Sequence, residues 1–218
     1  MQAIETSLIA GRPKKYVQIP TAAAPEGDES LNYWINLGQQ QAQRIGVDAT
    51  PVVIRNRDDA QSDSFAQLIH GAGLIYLSGG NPTYLANTLR DSMAWKTIYD
   101  NWKDGAALAG CSAGAMAIAD HIPQLRAPWA EHTSGLGVLP HIRVLPHFDR
   151  MFARVPDFMQ RFIHVPDGVT TVGIDEETAL VGGPTEWEVQ GNKSVWVLGG
   201  SKRTEFTAGS VVHTPVLN

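Results

Sequence analysis

The stretch Ala106-Ala107-Leu108-Ala109-Gly110-Cys111-Ser112-Ala113-Gly114-Ala115-Met116 decides the reading of this chain. Its first four residues form a short small-residue strand, and Ser112 to Met116 opens a helix. Between them Gly110-Cys111-Ser112-Ala113-Gly114 fits G-x-S-x-G, and a strand-turn-helix context is what a nucleophile elbow requires. Such a turn is tight, so the neighbours of the nucleophile must be small; here they are Gly, Ala and Gly. Ser112 is therefore the candidate nucleophile. The backbone N–H of Ala113 would face a developing oxyanion at the positive end of the helix that follows. Cys111 is a rival by intrinsic reactivity, but it sits one residue early and reads as a small core residue.

Outward from this turn the chain alternates short apolar runs with helix-period segments. Tyr16-Val17-Gln18-Ile19, Val52-Val53-Ile54 and Leu74-Ile75-Tyr76-Leu77 read as strands. A helical face runs through Leu31, Trp34, Ile35, Ala42 and Ile45. Shorter helical faces follow around Phe65-Leu68-Ile69, from Pro82 through Leu89, and through Trp95, Ile98, Tyr99 and Trp102. This rhythm predicts an α/β fold with a mostly parallel sheet and helices on both faces. After about residue 165 come short strands at Thr170–Ile174, Thr178–Val181, Trp187–Val189 and Val195–Leu198, with Gly191-Asn192 reading as a hairpin turn. They predict an antiparallel C-terminal extension of one domain spanning residues 1–218.

Composition narrows the function. The 218 residues carry a net charge of -5 and show no run of Lys or Arg, which argues against nucleic-acid or membrane-surface partners. The single cysteine permits no intrachain disulfide and suits a reducing, cytoplasmic setting. No segment reads as a signal peptide or membrane span. No metal-ligand spacing stands out and no cofactor is expected. Tyr33, Trp34, Tyr84, Trp95 and Trp102 suit either a core or a homodimer interface, so oligomeric state is open.

A serine nucleophile needs a base, and the base needs an orienting carboxylate. Of the seven histidines, His147 follows Val144-Leu145-Pro146 and precedes a helical segment, at the carboxyl end of a strand where sites in parallel sheets collect. His70 lies before a strand, and His121 lies further along the helix that begins at Ser112. His132 and His141 fall in Gly- and Pro-rich sequence, and His164 and His213 are further options. For the acid, Gly173-Ile174-Asp175-Glu176-Glu177 ends a strand with carboxylates, and Asp175 or Glu176 is the candidate. Leu77-Ser78-Gly79-Gly80-Asn81-Pro82 adds a glycine turn that can present a second oxyanion N–H. It lacks the Lys of a phosphate loop.

Taken together, Ile19-Pro20-Thr21-Ala22, Leu77 to Asn81, Ala109 to Ala115, Gly135-Leu136-Gly137-Val138-Leu139-Pro140 leading to Pro146-His147-Phe148-Asp149, and Gly173 to Leu180 resemble the dipeptidase E and cyanophycinase family of serine peptidases. That family lies within the class I glutamine amidotransferase-like superfamily, and the likeness spans about residues 16–200. The resemblance implies a flavodoxin-like three-layer sandwich. It implies a triad of Ser112, His147 and Glu176, with Asp175 as fallback, and an oxyanion hole from the N–H groups of Gly80 and Ala113. It implies a small peptide substrate: one branch of the family cleaves after an N-terminal aspartate, and another cleaves the aspartyl-arginine linkages of cyanophycin. In the dipeptidases an arginine fourteen residues beyond the histidine pairs with the substrate aspartate, which puts Arg161 in that role, with Arg150 and Arg154 as alternatives; Asn81 is the other substrate-binding candidate. Family members begin with a strand and glycine-rich turn. Here the first segment is the helix Ile4 to Ala10, so the reading expects a missing edge element or a start assigned late.

Two other readings compete. An α/β-hydrolase esterase would order its residues Ser112, Asp175, His213, with His70-Gly71-Ala72-Gly73 mimicking an oxyanion motif. A non-catalytic binding or regulatory protein could share the fold, since fold alone does not settle activity.

Overall fold

The computed structural model describes residues 1–123, 133–151, 168–199 and 202–215. It divides into two compact units: Gln2–Ala115, and Met116–Asn218 together with Met1.

The first unit opens with helix α1 (Gln2–Ile9), which matches the expected first helix. Strand β1 (Lys15–Ile19) follows, then a short 3-10 turn (Thr21–Glu26) and the long helix α2 (Asp28–Ile45). Acidic Asp28 and Glu29 in its first turn and Arg44 in its last suit the helix dipole, and Gly46 ends it in the left-handed conformation (φ 69°). Strand β2 (Asp48–Pro51) and helices α3 (Arg57–Ala60) and α4 (Asp63–Ile69) come next. Then come β3 (Leu74–Leu77), α5 (Pro82–Leu89), α6 (Met93–Lys103), β4 (Ala107–Gly110) and the start of α7 (Ala113–Ile118). The four strands pair in parallel in the order β2-β1-β3-β4. Order reverses between β1 and β3, and such a switch point is where ligands gather at the carboxyl ends of strands. Central strands covered on both faces are nearly all apolar. Val17, Ile19, Leu74, Ile75 and Leu77 are accordingly fully buried.

One strand differs from expectation. Val52-Val53-Ile54 lies outside the sheet, and β2 is the preceding Asp48–Pro51. Its register pairs Lys15 with Asp48 and Gln18 with Pro51. Pro51 has no N–H to donate and is tolerated because β2 is an edge strand. Val52 and Ile54 are fully buried, so their apolar signal reports core packing rather than the ladder.

In the second unit, short strands β5 (His121–Ile122) and β6 (Thr133–Ser134) pair with each other. Helix α7 ends at Ile118, so His121 stands on β5 and not on the helix, contrary to the sequence reading. Strand β7 (Ile142–Pro146) leads through His147 to helix α8 (Phe148–Met151). The remaining strands are β8 (Thr170–Ile174), β9 (Thr178–Gly182), β10 (Glu186–Gly191), β11 (Ser194–Gly199), β12 (Lys202–Thr207) and β13 (Val211–His213). Sheet order is β12-β11-β8-β7 with only β7 and β8 parallel, and β13-β10-β9 is antiparallel. The fold is therefore mixed α/β, with a mostly parallel sheet and added antiparallel strands.

Gly191-Asn192 is not the hairpin turn. Thr178 faces Gly191 and Ile174 faces Val195, so β8 with β9, and β11 with β10, form one antiparallel ladder in a single register. The ladder is interrupted where Asp175-Glu176-Glu177 lies opposite Asn192-Lys193-Ser194. The chain reverses instead at Gly183-Pro184-Thr185, between Gly182 and Glu186. Gly191 is glycine for another reason: its φ is 121°, and a Cβ there would strike the Glu177 carbonyl oxygen.

Candidate active site

Ser112 follows Cys111, just beyond Gly110 where β4 ends, and has φ 48°, in the left-handed region that a non-glycine residue seldom adopts. A strained turn at this position is the elbow the G-x-S-x-G pattern predicts. The flanking glycines follow from close approach. A Cβ on Gly114 would collide with the Leu77 carbonyl oxygen, and one on Gly110 would lie 2.6 Å from the Gly114 carbonyl carbon. The turn is tied to β3 by the Cys111 N–H, which donates to the Leu77 carbonyl at 3.1 Å. Ala113, whose N–H opens α7, is buried.

Cys111 projects away into a polar contact of its own. Its sulfur is hydrogen-bonded with the Tyr76 hydroxyl and the Gly79 N–H, and burial pushes its thiol pKa up. A thiol held protonated is a poor nucleophile.

The glycine turn after β3 packs on the segment after β1. Asn81 N–H donates to the Ala22 carbonyl at 2.7 Å, and a Cβ on Gly80 (φ 132°) would run into that same carbonyl oxygen. Asn81, expected beside the substrate, caps α5: its Oδ1 accepts from the Tyr84 N–H at 2.9 Å.

In the second unit His147 also has a positive φ, 51°, between β7 and α8. Its carbonyl accepts from the N–H groups of Arg150 and Met151 at 3.0 and 2.9 Å, which starts the helix immediately. Phe148 is buried against Gly173, where a Cβ would clash with its ring, and near Trp196 at 5.9 Å between centroids. That anchorage places the imidazole beside the end of β8. His147 Nδ1 lies 3.1 Å from Glu176 Oε1. A carboxylate only accepts, so Nδ1 carries the proton and Nε2 is left as the basic nitrogen.

Successive residues point to opposite sides of an extended chain, and the two acid candidates separate accordingly. Glu176 turns to His147. Asp175 is buried and accepts from Trp196 Nε1 at 3.2 Å and from the Ser194 N–H at 3.3 Å. The esterase pairing is not formed: Asp175 is engaged as described, and His213 Nδ1 lies 4.0 Å from Glu186 Oε2. His141 is buried and donates from Nε2 to the Pro184 carbonyl at 2.7 Å when that nitrogen carries its proton. His132, Arg154, Arg161 and His164 lie outside the described residues.

Around the pair stand Arg150, which the sequence reading offered only as an alternative partner for the substrate aspartate, and two groups, Asp149 and Lys193, to which it gave no role. Arg150 Nε lies 2.8 Å from Glu176 Oε2. Asp149 Oδ1 accepts the Glu176 N–H at 3.1 Å, and Lys193 Nζ meets Asp149 Oδ2 at 2.6 Å. The Lys193 hydrogen bond holds the Asp149 carboxyl below the usual carboxylate range. Asp149 stood inside a quoted motif, but nothing in the sequence marks Lys193, forty-four residues away, as its partner.

Among the described residues no group of His, Cys, Asp and Glu could hold a metal ion, and no helix is long and apolar enough to cross a membrane.

The chain is similar over most of its length to known proteins. A cyanophycinase from Trichormus variabilis is 25% identical over 217 residues, covering 94% of this chain and 69% of that protein. One from Geminocystis herdmanii is 25% identical over 194 residues, covering 85% and 68%. A solved peptidase from an acI-B1 Actinobacterium superposes with a TM-score of 0.87 at 39% identity, covering 97% of this chain and 90% of that one. A putative peptidase E from Listeria monocytogenes shares the fold, with a TM-score of 0.61 at 16% identity over 95% and 93% of the chains. The family model described as Peptidase family S51 matches residues 2–187, and this chain belongs to that family of serine-type peptidases.

Proposed function

We propose that the protein hydrolyses short peptides, with dipeptides bearing an N-terminal aspartate as its substrates, through an acyl-enzyme on Ser112. The observation that supports this most is the His147–Glu176 pair, which leaves Nε2 of His147 as the basic nitrogen. His147 takes the proton of Ser112 Oγ as that oxygen bonds to the scissile carbonyl carbon. The N–H groups of Gly80 and Ala113 stabilise the oxyanion. His147 then passes the proton to the leaving amine as the C–N bond breaks. Water, deprotonated by the same nitrogen, attacks the acyl-enzyme carbonyl, and His147 returns that proton to Ser112 Oγ as the ester C–O bond breaks and the acid is released. Glu176 holds the tautomer and balances the imidazolium.

Arg161 is the residue we assign to the substrate aspartate, and Asn81 is a second residue we assign to substrate binding. In support, Arg150 is already drawn to Glu176. A cytoplasmic setting is in keeping with the single cysteine.

A dipeptide panel of Asp-Leu, Glu-Leu, Ala-Leu and β-Asp-Arg tests this reading. Cleavage confined to Asp-Leu, and about 10⁴-fold or more lower kcat/KM in Ser112→Ala, is expected. Unchanged turnover in that variant would remove the mechanism. The similarity to cyanophycinases favours one second reading, a β-aspartyl peptidase, which preferential cleavage of β-Asp-Arg would select.

A further inference from the structure

We propose that Asp149 is a positioning residue, one that sets the reach of Glu176 toward His147 by holding its backbone. The inference rests on the acid–base roles proposed above.

Glu176 sits in the interruption of the long antiparallel ladder, between Ile174 and Thr178, where its N–H has no strand partner in the described pairing. That N–H is taken by Asp149 Oδ1 at 3.1 Å. Asp149 stands two residues beyond His147 in the same helical turn, so a short ring closes. It runs from His147 along the backbone to Asp149, across to the Glu176 main chain, out along the Glu176 side chain, and back to His147 Nδ1 at 3.1 Å. Two residues of helix and two hydrogen bonds thus fix the carboxylate at its root as well as at its tip. Arg150 restrains the other carboxylate oxygen at 2.8 Å but is largely exposed, whereas the Asp149 link acts on the main chain.

The ring has a brace on its outer side. Lys193 Nζ binds Asp149 Oδ2 at 2.6 Å, and Lys193 belongs to the opposite half of the same interruption. Asn192 and Lys193 are anchored there by the Glu177 carbonyl at 3.0 Å and the Thr178 hydroxyl at 3.1 Å. Asp149 therefore gathers both strands of the break onto the turn that carries the histidine. What the ring needs from Asp149 is one acceptor oxygen. The charge answers Lys193.

The test removes the charge first and then asks about the acceptor. In full-length protein carrying Lys193→Met, Asp149→Asn keeps an oxygen for the Glu176 N–H and Asp149→Leu does not. Labelling of Ser112 by a fluorophosphonate reads the outcome without a known substrate. The Asn protein is expected to show a maximal labelling rate about 10- to 100-fold above the Leu protein, with the half-saturating probe concentration unchanged. Equal rates in two folded proteins would overturn the proposal and leave Asp149 a structural staple. Asp149→Ala in the same background serves if the Leu protein does not fold. His147→Ala in otherwise wild-type protein separates the two layers. If it labels as fast as wild type, the acid–base reading fails and takes the proposal with it. If it labels slowly while the Asn and Leu proteins match, only the role of Asp149 falls.

Discussion

At the scale of single residues, the turn at Ser112 rests on contacts that admit no extra carbon. Gly114→Ala drives a methyl into the Leu77 carbonyl, a backbone atom that cannot swing aside. We expect a loss of about 1–3 kcal/mol, read as a drop in melting midpoint of roughly 2–10 °C. Cys111 next to it should behave as a sheltered thiol, since burial raises its pKa and Tyr76 and Gly79 occupy its sulfur. Alkylation by iodoacetamide at pH 7.5 is expected to be at least about tenfold slower in folded than in unfolded protein; equal rates would mean that the thiol is exposed and ionisable. The positions of Ser112 and His147 were legible because strand ends followed by small or helix-opening residues are written locally. The choice between Asp175 and Glu176 was not, because it depends on which of two neighbouring side chains meets Trp196, and Trp196 comes from a different strand.

Strands and turns were read well where burial and pairing coincide. Leu74–Leu77 and Thr170–Ile174 occupy the expected residues, since each is flanked by paired strands. Val52–Ile54 misled because burial there runs on past the end of the ladder, whose last bond is from the Val52 N–H to the Gln18 carbonyl, and Gly191 misled because a glycine that admits a passing carbonyl looks the same as one that turns the chain. The break that carries Glu176 has a pH signature of its own. Asp149 is held below its ordinary pKa by Lys193, so this contribution to stability is complete above the unfolded carboxyl value of about 4. It is lost as pH falls through the lower folded value. Lys193→Met should therefore destabilise the protein at pH 7, and the gap to wild type should close in acid. Denaturant midpoints taken from pH 7 down to pH 2 check this; a gap that is constant across that range would refute it.

For the molecule as a whole, the alternation of apolar runs with helix-period segments was enough to assign an α/β fold with a parallel sheet, and the order β2-β1-β3-β4 bears this out. The reading of one domain over residues 1–218 predicts one unfolding event. Protein retaining only Trp34, from the first compact unit, and protein retaining only Trp196, from the second, should give coincident denaturation curves. Two separated transitions would show that the units fold independently. The uninterrupted register of the long ladder has a consequence for how this chain can change length. At the reversal through Gly183-Pro184-Thr185, residues can be added or removed while every pair behind them stays matched. Within Asp175–Glu177 or Asn192–Ser194 the same event slips the ladder by one place on one side only. It would turn Trp187 and Val189, or Val195, from the interior to the surface and carry Glu176 off His147. Related chains should thus differ in length at the tip and keep the interruption at three residues on each side.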